Sequence, residues 1–146
     1  MEIIDSTNNC DGDALDSFFC SQRNLETLIL EELTSNACSL FNMKEYSYDY
    51  KFKLKKLSVL FSGNYQDSHN FERNFGTFLI NQTILEAIKV EGLLPTSIYK
   101  IILSKSVLNE LEINASRFPQ EKLFYESMQS NQTLKILQIN STITRE

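Results

Sequence analysis

The chain has 146 residues, of which 42% are hydrophobic and 23% charged, with a formal net charge of -5. That length fits one domain, and that balance excludes both a disordered polar chain and a membrane-embedded bundle. No stretch approaches the ~18 consecutive apolar residues of a membrane span, and an acidic chain is poorly suited to a phosphate backbone.

At the start, Met1-Glu2-Ile3-Ile4-Asp5 lacks the basic and then apolar regions of a secretion signal. Residues 1–12 read as a flexible polar leader, 13–142 as the folded domain and 143–146 as a tail. Cys10, Cys20 and Cys38 are widely spaced and, without a signal, read as reduced thiols in a cytoplasmic or nuclear protein.

The first predicted unit pairs Leu15, Phe18 and Phe19, spaced as one stripe of a helix, with Leu25, Leu28 and Leu30. The second places Leu54, Leu57 and Val59 after a stretch whose matching positions, Lys44, Ser47 and Tyr48, break the stripe. Its connection from Asn36 to Phe52 is predicted as an irregular loop or a helix in another phase. The third couples Phe75, Phe78 and Leu79 to Leu85, Ile88 and Val90, and the fourth Ile98, Ile101 and Ile102 to Leu108, Leu111 and Ile113. The fifth keeps Phe124 and Met128 before Leu134, Leu137 and Ile139.

All five runs share the spacing L-x-x-L-x-L. Its fourth and sixth residues lie on one face of a strand, with the residue between them on the other. The runs begin about 23 to 31 residues apart, the sign of a stacked repeat in which a helix and a strand bury each other. Charged residues between the anchors, Lys89 and Glu112 among them, argue against a sheet covered on both faces.

Residues for catalysis are sparse. His69 is the only histidine and has no local nucleophile signature, and the cysteines lack paired metal-ligand spacing. Gly totals 4, and neither a dinucleotide nor a P-loop fingerprint occurs. The chain is therefore expected to be no enzyme and to hold no cofactor or metal. Lys51, Lys53, Lys55 and Lys56 form the one basic cluster, but Glu26, Glu31, Glu86 and Glu91 flank it, which favours local ion pairing over nucleic-acid contact. Four N-x-[S/T] triplets, at Asn81, Asn114, Asn131 and Asn140, are expected to carry no glycan.

Taken together, the repeat resembles the leucine-rich repeat family, in the helix-bearing form of ribonuclease inhibitor and of F-box substrate adaptors. The resemblance spans about residues 13–142. It rests on the five runs and on junctions such as Phe78-Leu79-Ile80-Asn81-Gln82-Thr83-Ile84-Leu85 and the weaker Phe18-Phe19-Cys20-Ser21-Gln22-Arg23-Asn24-Leu25. It implies an α/β solenoid, a short horseshoe arc of about five helix-strand units with a parallel sheet on the concave face and helices on the convex face. It further implies a non-catalytic protein-binding module, an F-box-like adaptor of the ubiquitin pathway, although no F-box segment precedes Leu25. An inhibitor or regulatory subunit that occludes a partner enzyme is the alternative. The family's usual Asn or Cys after each strand is replaced by Leu33, Ser62, Leu93, Ser116 and Thr142, so no asparagine ladder is expected.

On such an arc the partner would meet the residues between and beside the anchors. The first two strands supply Glu26, Thr27, Ile29 and Glu31, then Lys55, Lys56, Ser58 and Leu60. The third supplies Glu86, Ala87, Lys89 and Glu91. The fourth supplies Asn109, Glu110, Glu112 and Asn114, and the last Lys135, Ile136, Gln138 and Asn140. A protein partner is expected here, with neither nucleic acid nor membrane. Few residues follow Ile139, so the final strand edge also raises self-association.

Overall fold

Six strands and three helices follow one another in a computed structural model, which describes residues 2–6, 21–33, 52–61, 69–92, 94–114 and 121–140. In chain order they are β1 (Glu2–Ser6), β2 (Thr27–Leu33), β3 (Lys56–Phe61), α1 (His69–Asn81), β4 (Ala87–Glu91), α2 (Thr96–Leu103), β5 (Glu110–Asn114), α3 (Glu121–Ser130) and β6 (Ile136–Asn140). The strands form one sheet in which spatial order equals chain order, and every neighbouring pair is parallel.

Register follows from the apolar alternation. Leu28, Leu57, Ile88, Leu111 and Leu137 align across β2 to β6, and Leu30, Val59, Val90, Ile113 and Ile139 form a second row. From β2 to β5 each of these side chains is at most 3% exposed. A one-residue slip would turn all of them to the opposite face, which pins the pairing. A register shift between Leu30 and Leu33 marks the end of regular β2–β3 pairing.

The turns leading into the strands repeat one hydrogen-bond fork. The Glu26 carbonyl accepts from the Lys55 and Lys56 N–H groups at 2.8 and 3.1 Å, and the Lys55 carbonyl accepts from those of Glu86 and Ala87. The Glu86 carbonyl accepts from Asn109 and Glu110, and the Asn109 carbonyl from Lys135 and Ile136. Each strand therefore starts level with the previous one.

All three helices cover the face bearing the buried rows. Phe75, Phe78 and Leu79 of α1, Ile98, Tyr99 and Ile102 of α2, and Phe124 of α3 join the strand anchors in one core. Gly76 permits a close α1–α2 approach, since a Cβ there would lie 3.0 Å from Ile101 Cδ1. The Tyr99 and Phe124 rings meet edge to face at 5.5 Å, an arrangement favoured by the ring quadrupoles. The Ser97 hydroxyl donates to the Glu72 carboxylate and ties α2 to α1.

The leucine-rich repeat horseshoe of about five helix-strand units does not form. The chain folds as a single small α/β domain, a parallel sheet with three flanking helices among the described residues. Among the described residues the helices stand before β4, β5 and β6 and pack on the sheet as one core. There the apolar stripe is present in the sequence. With the horseshoe go the family assignment and the F-box-like, ubiquitin-pathway reading built on it. The expected polar leader also needs correction, because Glu2–Ser6 is a strand paired with Thr27–Glu31. The first expected helix (Leu15, Phe18, Phe19), the connection 36–51 and all three cysteines lie outside the described residues.

Candidate functional site: the open face of the sheet

Opposite the helices, the side chains between the buried anchors form two cross-sheet rows. One runs Thr27, Lys56, Ala87, Glu110, Ile136, and the other Ile29, Ser58, Lys89, Glu112, Gln138, each residue paired in register with the next. These ten residues line a shallow depression of about 260 Å³, and Leu57, Ile88 and Leu111, whose side chains turn into the core, complete its floor. Sequence explains the hollow. Ala87 in the middle of one row and Ser58 on the adjacent strand of the other are small, while longer Lys and Glu side chains stand around them. Adjacent strands lie ~4.8 Å apart, so the side chains of a row are held at a fixed pitch.

Charge on this face is ordered by short-range pairing. Lys89 Nζ lies 3.2 Å from Glu112 Oε1 across β4 and β5. Asn114 Nδ2 donates to the same Glu112 oxygen at 3.1 Å, and Asn140 Nδ2 donates to Asn114 Oδ1 at 2.7 Å. A polar chain thus crosses from β4 to β6. At the strand-leading turns Lys55 Nζ lies 2.8 Å from Glu26 Oε1. That hydrogen bond, with the charge attraction behind it, lowers the Glu26 carboxyl below its ordinary range and raises the Lys55 ammonium above its own. With these two pairs set aside, Glu31, Glu86, Glu91 and Glu110 outnumber Lys56 and Lys135. The face carries an acidic excess.

Of the residues expected to meet a partner, Ile29, Lys56, Ser58, Lys89, Glu110, Glu112, Ile136 and Gln138 come together around the depression. Glu26, Lys55, Glu86 and Lys135 sit one residue before their strands, at the rim. Glu31, Leu60 and Glu91 lie toward the opposite strand ends. Sequence reasoning missed a different set of polar groups, those that fasten one turn to the next. The Leu54 N–H donates to Gln82 Oε1 at 2.7 Å in a buried position. Asn131 Nδ2 donates to the Leu103 carbonyl at 2.7 Å, while its Oδ1 accepts from the Thr133 and Leu134 N–H groups. Lys105 Nζ donates to the Leu79 and Gln82 carbonyls at the end of α1. The available signal was positional, since Gln82, Lys105 and Asn131 each stand three residues before an anchor leucine.

Other chemistries find little support among the described residues. No group of three or more His, Cys, Asp or Glu is placed to hold a metal ion, and no helix is long and apolar enough to cross a membrane. Strand order never reverses, so the crevice at which doubly wound sheets bind ligands has no counterpart here. Three of the four N-x-[S/T] asparagines, Asn114, Asn131 and Asn140, already use their side-chain amides in the hydrogen bonds above.

No family model matches the chain, and no curated protein or solved structure matches it. Function is therefore argued from the chemistry of the face, not from fold analogy.

Proposed function

We propose that this protein is a non-catalytic binding module of the cytoplasm or nucleus whose open sheet face takes a protein segment rich in lysine or arginine. The observation that carries the reading is the hollow over Ser58 and Ala87, lined by Lys56, Glu110 and the Lys89–Glu112 pair, within a face where Glu31, Glu86 and Glu91 leave an acidic excess. A backbone already fixed in a hydrogen-bonded sheet need not be ordered when a partner arrives, which lowers the entropic cost of association. Opposite charge in the partner adds specificity and speeds encounter more than it adds affinity. Ile29, Leu60 and Ile136 supply apolar contact beside the charges.

Fluorescence anisotropy with labelled unstructured peptides of matched length tests this. Basic peptides should bind, acidic ones should not, and added salt should weaken the complex. The double substitution Glu91→Lys with Glu110→Lys should lower affinity at least tenfold, and Lys56→Glu should raise it. Equal binding of acidic and basic peptides, or an unchanged affinity in the double variant, rejects the reading.

A further inference from the structure

The last strand is built differently from those inside the sheet. Core-facing anchors of β2 to β5 are at most 3% exposed, whereas Leu137 and Ile139 of β6 are 39% and 36% exposed, and Ile136 is 55% exposed. The strand Ile136-Leu137-Gln138-Ile139-Asn140 carries no charge, no proline and no glycine. Natural edge strands are commonly protected by charged residues or proline. Backbone direction is also fixed. The Ile136 N–H donates to the Asn109 carbonyl on the β5 side, so by alternation the N–H and C=O groups of Leu137 and Ile139 point outward from the sheet.

We propose that β6 pairs antiparallel with β6 of a second copy of this chain, about a two-fold axis passing beside Gln138. In this register Leu137 lies opposite Ile139 of the second copy and exchanges both backbone hydrogen bonds with it, and the symmetric pair does the same. Leu137 and Ile139 remain on the helix side, which extends the apolar core across the junction. Ile136, Gln138 and Asn140 remain on the open side, with Gln138 facing its own symmetry mate. No like charges meet. A two-fold contact of this kind is self-complementary and closes at two copies. Because Ile136 and Gln138 also line the depression, the dimer brings the two depressions next to each other across the axis. This inference rests on the edge alone and stands whether or not the face binds basic segments.

Light scattering after size-exclusion chromatography, across a wide range of protein concentration, reads the outcome. The 146-residue chain should approach twice its monomer mass. Gln138→Lys and Gln138→Glu, at an exposed position, should each keep the wild-type far-UV circular dichroism and weaken the dimer at least tenfold. An equimolar mixture of the two variants should restore it, because the facing positions then carry opposite charges. A wild-type chain that stays monomeric, variants that dimerise as well as wild type, or a mixture that stays monomeric overturns the proposal. So does growth beyond two copies, which would indicate open-ended pairing through the β1 edge.

Discussion

Lys89 and Glu112 occupy directly paired positions on β4 and β5, and their charged ends meet at 3.2 Å in the middle of the open face. Glu112 is held a second time by Asn114, so the carboxylate has a fixed direction although solvent reaches both partners. An exposed cross-strand pair of this sort contributes little to folding. Its larger consequence is the fixed arrangement of charge on the open face.

A double-mutant cycle measures that pair. Lys89→Ala and Glu112→Ala, singly and together, should give a coupling energy of about 0.2–1 kcal/mol in urea unfolding. Lys89→Glu alone should destabilise the chain by placing like charges opposite each other, and adding Glu112→Lys should recover most of the loss. A coupling indistinguishable from zero would mean that the contact is not maintained in solution.

Gln82 is buried, and its side-chain oxygen accepts from the Leu54 N–H at 2.7 Å. Gln82→Leu keeps approximate size but leaves that buried N–H without its acceptor, a loss of roughly 1–3 kcal/mol. Gln82→Glu retains the acceptor, at the cost of a buried charge. Denaturant midpoints at constant m-value provide the comparison, and an unaffected Gln82→Leu midpoint would remove the bond from the list of stabilising contacts.

Gly92 follows β4 with φ of 115°, a conformation that L side chains rarely adopt, and its N–H donates to the Asn114 carbonyl at 2.8 Å. Gly92→Ala should cost at least ~1 kcal/mol, because the alanine either bears the strain or abandons the bond to β5. Thermal unfolding checks this, and a neutral or stabilising substitution contradicts the backbone conformation.

Lys105 gives a pH dependence whose sign can be worked out. Burial, with Lys53 nearby as the smaller influence, lowers its ammonium from 10.5 to about 8. Between those values the unfolded chain binds more protons than the folded one, so stability rises with pH. Below pH 8 the folded chain carries the full penalty of the half-buried charge. From pH 7 to 9 this group should add roughly 0.5–1 kcal/mol, after allowance for its partial contact with water. Lys105→Gln should flatten that rise in urea titrations at the two pH values, and an identical slope in the variant would exclude Lys105 as its source.

Much of the sheet was legible in the residues because strand sidedness is a local property. In Leu57-Ser58-Val59 or Ile88-Lys89-Val90 the apolar pair and the polar residue between them identify the two faces without knowledge of neighbours. The same alternation identified the residues that line the depression. Helices before β4, β5 and β6 were readable for a similar reason, since Phe75, Phe78 and Leu79 follow a 3.6-residue period. Residues such as Gln82 and Asn131 were not readable as fasteners. Their partners, Leu54 and Leu103, lie 28 residues away, and a polar residue in a turn looks the same whether it faces water or a neighbouring backbone.

By itself, the sequence determined which residues face the core in β2 to β5 and that helices and strands alternate toward the C-terminal end. Tertiary structure decided the rest. It made Glu2–Ser6 a strand by lending it β2 as a pairing partner, and it assembled one α/β domain in place of a uniform horseshoe. It also left Leu137 and Ile139 exposed although their spacing matches that of the buried anchors. Side-chain periodicity acts within a few residues, whereas burial depends on what stands on the next strand.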